Sequence, residues 1–110
     1  MTKIKIFRDS LGSIVKGELS GHTMCAEEGS DIVCASVSSV LFMTLNGIEN
    51  VVGETFGYET GDGYAYFVLP ADIDDDKRKE INILLDSMLL FYKELSQQYP
   101  QNVELTELEV

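Results

Sequence analysis

Gly21-His22-Thr23-Met24-Cys25-Ala26-Glu27-Glu28-Gly29-Ser30-Asp31-Ile32-Val33-Cys34-Ala35-Ser36-Val37-Ser38 is the stretch whose reading decides the fold. It holds the only histidine and both cysteines of the chain, and strand-like alternation gives way in it to helical spacing. From Gly21 to Gly29 no periodicity survives, so these residues read as a surface loop, a common carrier of function. Ser30 is suited to cap a helix and Asp31 complements the dipole of its first turn. Val33, Val37, Val40, Leu41, Thr44, Leu45 and Ile48 then recur at helical spacing, which predicts a helix from Ser30 to Asn46 or Glu49. The rival is a buried strand over Ile32 to Val40, given the β-branched residues there, but the apolar pattern runs too long for one strand.

Upstream, Ile4 and Ile6 alternate with Lys3 and Lys5 as in a half-buried strand, and Asp9 to Ser13 supplies turn chemistry before a second strand over Ile14 to Ser20. Gly17 is expected to mark a bulge or a close backbone approach. Downstream, Val51 to Tyr58 and Tyr64 to Leu69 read as strands joined through Glu59-Thr60-Gly61-Asp62-Gly63, with Tyr58, Tyr64 and Tyr66 expected to cluster across them. After Pro70, the acids Asp72, Asp74, Asp75 and Asp76 sit where a helix N-terminus favours negative charge. They lack the glycine turn and distal glutamate of a calcium loop. Ile81, Leu84, Leu85, Met88, Tyr92, Leu95 and Tyr99 trace one face of a long helix that Pro100 ends. A last strand carries Val103 and Leu105, and its alternation slips before Leu108 and Val110, which predicts a bulge or a frayed end. The order ββαββαβ predicts an α+β fold, a mixed or antiparallel sheet with two helices, in a single domain over residues 1–110.

The 8 basic and 19 acidic residues give a net charge of −11, which disfavours direct contact with nucleic acid or an anionic membrane and favours a basic protein partner. No apolar run reads as long enough to span a membrane, and no leader precedes the first strand, so the protein is expected to be soluble and cytoplasmic. Two cysteines permit one disulfide, but reduced thiols are the expectation in such a compartment.

If Ser30 caps the helix, Cys34 lies in the first full turn, where unpaired N–H groups and the positive dipole end stabilise a thiolate. At about 100° per residue, Cys34 falls on the flank of the apolar stripe, with Asp31 one turn before it and Ser38 one turn after. His22, twelve residues upstream on the loop, is placed to fold over the helix end and serve as base and then acid to Cys34. The plainer alternative is an exposed histidine and a cysteine that packs as a small hydrophobe. His22, Cys25, Asp31 and Cys34 also offer four zinc ligands, but the eight residues between the cysteines fit neither a finger nor a knuckle, and there is no C-x-x-C redox pair. No cofactor and no metal are expected.

These residues resemble those of the ribosomal-processing cysteine protease family, Prp. The family pattern of a Gly-His pair, a loop alanine and glycine, and an Asp-Ile-Val-Cys-Ala run leading to a serine is matched by Gly21, His22, Ala26, Gly29, Asp31, Ile32, Val33, Cys34, Ala35 and Ser38. The resemblance implies that Cys34 is the nucleophile and His22 its base, that Gly21 lets the loop move to admit substrate, and that Asp31 and Ser38 support the site. It also implies the substrate: the twenty-seventh protein of the large ribosomal subunit, made as a precursor with an N-terminal extension that is cut after an aromatic residue in an apolar segment. Members of the family form homodimers. The non-enzymatic alternative is an acidic module that binds a basic ribosomal protein.

Overall fold

The structure is a computed structural model, and it describes residues 1–21 and 30–110, the side chains of Ser30 and Asp31 excepted. The elements follow the expected order: β1 (Thr2–Arg8), β2 (Ile14–Ser20), α1 (Ser30–Asn46), a π-helical turn (Gly47–Val52), β3 (Gly57–Gly61), β4 (Tyr64–Val68), α2 (Asp75–Gln98) and β5 (Val103–Glu109). The strands form one five-stranded sheet in the order β3-β4-β2-β1-β5. It is mixed, because β5 pairs parallel to β1 while the other pairs are antiparallel.

Alternation in β1 decides which face of the sheet is wet. Thr2, Ile4 and Ile6 are buried beneath the helices, and Lys3 and Lys5 are exposed on the opposite face. The α1 stripe of Val33, Val37, Leu41 and Leu45, continued by Ile48 of the π-helical turn, packs with Ile81, Leu85, Met88, Leu89, Tyr92 and Leu95 of α2 over Ile4, Ile6, Leu19 and Phe67 of the sheet. Gly17 marks a close approach, since a Cβ there would lie 2.4 Å from the Phe67 ring. The bulge falls instead between Phe7 and Arg8. Asp74 caps α2 by accepting from the Lys77 backbone N–H at 3.0 Å.

Several expectations are corrected. Val51 and Val52 close the π-helical turn, so the third strand begins only at Gly57. Its hairpin is tighter than expected, with Asp62 and Gly63 alone between the paired Gly61 and Tyr64. The three tyrosines do not cluster. Tyr58 pairs with Phe67 and stacks on Phe56 with ring centroids 5.4 Å apart, while Tyr64 and Tyr66 belong to the opposite face. β5 carries no bulge: it runs in unbroken register along β1, and Leu108 simply sits beside Phe7 on the open face. Finally, Ile32–Val52 is long and apolar enough to cross a membrane by length and composition. The core stripe accounts for this apolarity, because a helix with one charged residue in its first seventeen passes the same test when its inner face packs on a sheet.

Tyr92 is wholly buried, and its hydroxyl donates to the Val37 carbonyl at 2.8 Å, tying α2 to the first turns of α1. Burial raises its pKa, which keeps the donor proton in place. Tyr92→Phe is expected to cost about 1 kcal/mol and lower the melting temperature by several degrees in thermal unfolding.

At the β5 edge, Glu107 accepts from Arg8 at 3.2 Å and pairs with Lys93 at 3.3 Å. Burial alone would raise its pKa, but the Arg8 and Lys93 contacts outweigh this and hold the carboxyl below its ordinary value. A depressed carboxylate contributes stability that is present above the unfolded pKa and lost as pH falls through the folded one. Glu107→Gln is therefore expected to destabilise by at most about 1 kcal/mol at pH 7, with the gap to wild type closing as denaturation curves are moved below about pH 4.

Candidate active site

Cys34 sits one turn into α1, half-buried, on the side of the helix that carries Ser38 and Phe42 at successive turns. These three side chains form one wall of a cleft of about 110 Å³ whose other wall comes from the end of β2 and the β3–β4 hairpin. Its lining is mainly apolar, with Leu19, Val37, Leu41, Phe42 and Ala65 around Cys34, and Thr60, Gly61 and Tyr64 close it from the hairpin. The volume is below the roughly 300–1,000 Å³ of a small-molecule site, so the cleft suits one side chain of a longer chain better than a whole ligand.

The sulfur of Cys34 is disulfide-bonded, against the expectation of reduced thiols. Bonding requires two Cα atoms to come within roughly 7 Å, a tertiary condition that spacing along a chain does not settle. Ser38, one turn on, is exposed and lines the cleft. Asp31 belongs to the first turn of α1, and its side chain is not among those described. His22 and Cys25 lie outside the described residues, as does the rest of the expected loop from residue 22 to residue 29. Among the described residues no three His, Cys, Asp or Glu side chains are grouped to hold a metal ion.

Gly21 marks the start of that loop. It has φ +101°, its N–H donates to the Gly63 carbonyl at 3.0 Å, and a Cβ would lie 2.1 Å from the Met1 carbonyl oxygen. The glycine thus welds the end of β2 to the hairpin turn that closes the cleft. The hairpin is the part of the site that reading the sequence missed. Its only signal was the Asp-Gly turn, which marks a hairpin without saying what the hairpin faces.

A family model described as cysteine protease Prp matches residues 1–104. The chain belongs to this family. A ribosomal processing cysteine protease Prp from Bacillus subtilis is 30% identical, with 96% of each chain covered. Among solved structures, SMU.848 from Streptococcus mutans superposes with a TM-score of 0.89 at 26% identity, covering 100% of this chain and 96% of its own. An essential ribosomal processing protease Prp from S. aureus in complex with a substrate peptide gives 0.84 at 26% identity, covering 97% and 99%. The ββαββαβ order and five-stranded mixed sheet are those of the Prp structures.

Gly21→Ala is expected to lose more than the roughly 1–3 kcal/mol of an ordinary strained residue, because the new methyl meets backbone that has no rotamer to yield. Thermal unfolding of the variant checks this.

Proposed function

We propose that this chain is a cysteine endopeptidase that removes the N-terminal extension of the twenty-seventh protein of the large ribosomal subunit, with Cys34 as nucleophile and His22 as its base. The observation that carries the reading is the position of Cys34: early in α1, on the wall of an apolar cleft, in a chain of the cysteine protease Prp family. Relatives named as ribosomal processing proteases support the substrate class, and the acidic surface suits a basic ribosomal protein by steering its approach.

The chemistry follows from the groups available. With the disulfide reduced, His22 takes the Cys34 proton, and the thiolate, favoured by the helix dipole, attacks the scissile carbonyl. Backbone N–H groups at the start of α1 are the natural donors to the oxyanion. The imidazolium then protonates the leaving amine, and water, deprotonated by the same imidazole, releases the acyl-enzyme. The aromatic side chain before the cut occupies the cleft between Leu41, Phe42 and Ala65. Ser38 and Asp31 support the site, the first from the cleft wall and the second by complementing the helix dipole. The reading includes a homodimer and a cytoplasmic setting, where the thiol pool opens the Cys34 disulfide by exchange.

The test is incubation of wild type, His22→Ala and Cys34→Ala with a peptide spanning the extension, with and without a dithiol reductant, read by mass. Cleavage after an aromatic residue is expected from reduced wild type alone, with a loss of at least about a thousandfold in either variant. Full cleavage by Cys34→Ala would overturn the assignment. Binding without cleavage by all three proteins would point to the acidic binding module instead.

A further inference from the structure

β3 is the terminal strand of the sheet, and all five of its residues are exposed. Its outer backbone edge can be located from the ladder. With only Asp62 and Gly63 in the turn, Gly61 and Tyr64 form the first hydrogen-bonded pair, so Gly57, Glu59 and Gly61 direct their N–H and C=O groups to β4. The other side of β4 agrees with this phase: Leu69 donates to Val15 and Gly63 accepts from Gly21, so odd-numbered positions turn toward β2. The backbone groups of Tyr58 and Thr60 therefore point outward, away from the sheet.

Sheet edges are normally guarded by charge, proline or cover. β5, the opposite edge, carries Glu104, Glu107 and Glu109. β3 has neither lysine nor proline, and its one charge, Glu59, is paired with Tyr66 on the open face, away from the helices. Thr60 joins this edge to the cleft: it pairs with Ala65, and both line the cavity that holds Cys34. A strand laid along β3 would stand about 4.8 Å beyond it and turn every second side chain to the helix face, where the cleft opens.

We infer that the substrate binds by strand addition, its extended apolar segment pairing with the outward backbone groups of Tyr58 and Thr60 so that one side chain drops into the cleft and the adjoining carbonyl reaches Cys34. This deepens the protease reading and rests on it for the identity of the peptide. Affinity would come from main-chain hydrogen bonds, and selection from the cleft.

The experiment is a scan of the extension peptide in which each backbone amide in turn is N-methylated. Binding to Cys34→Ala is read by fluorescence anisotropy, and hydrolysis by reduced wild type is read separately. Strand addition predicts a period of two: methylation at alternate amides weakens binding about three- to tenfold, and the amides between are insensitive. Thr60→Pro, which removes an outward N–H while leaving the β4 ladder intact, should raise KM by a similar factor with kcat retained. A scan without alternation, or a peptide that does not bind, overturns strand addition, and the scan on an unchanged β3 decides the matter if Thr60→Pro fails to fold. Alternating binding with no hydrolysis by wild type would instead refute the protease reading and leave strand addition standing.

Discussion

Burying Val33, Val37, Leu41 and Leu45 against the sheet leaves α1 one rotational setting, and that setting turns Cys34, Ser38 and Phe42 toward the β3–β4 hairpin. The helix cannot roll to hide Cys34 without lifting its apolar stripe out of the core, at roughly 1.5–3 kcal/mol for each large side chain exposed. Tyr92 adds a directional constraint, since its buried hydroxyl has its partner at the Val37 carbonyl. The half-exposed position of Cys34 thus follows from the same packing that makes the domain.

The opposite wall of the cleft is set by glycine as much as by side chains. Gly17 admits the Phe67 ring, and Gly21 lets β2 end against Met1 while bonding to Gly63. Gly61 lies under the Tyr64 ring, where a Cβ would approach to 2.6 Å. Glu59 raises the Tyr64 pKa, chiefly through its charge. The hairpin is therefore held close to β2 at its turn, and among the described residues no strand pairs with the outer side of β3.

Charge is distributed in keeping with this division. α1 contributes one charged residue in seventeen, whereas α2 and β5 carry much of the acid. The cleft and the adjoining edge are nearly neutral within a chain of net charge −11. An apolar segment of a basic protein meets long-range attraction first and an uncharged surface on contact, so the costs of desolvating ion pairs do not arise where the peptide docks.

Local patterning by itself determined the element order, both core stripes and the placement of Cys34 at the opening of a helix, because period and capping are properties of neighbouring residues. It also carried the family resemblance, since a Gly-His pair and an Asp-Ile-Val-Cys-Ala run are contiguous letters. The later start of β3, the separation of Tyr58 from Tyr64 and Tyr66, and the straight course of β5 were illegible, because register is a choice among partners distant in the chain. Only the tertiary structure decided that the hairpin faces Cys34, that the sulfur is disulfide-bonded and that β3 forms an edge of the sheet. Each of these depends on distances closed through space, which the spacing of residues along a chain does not contain.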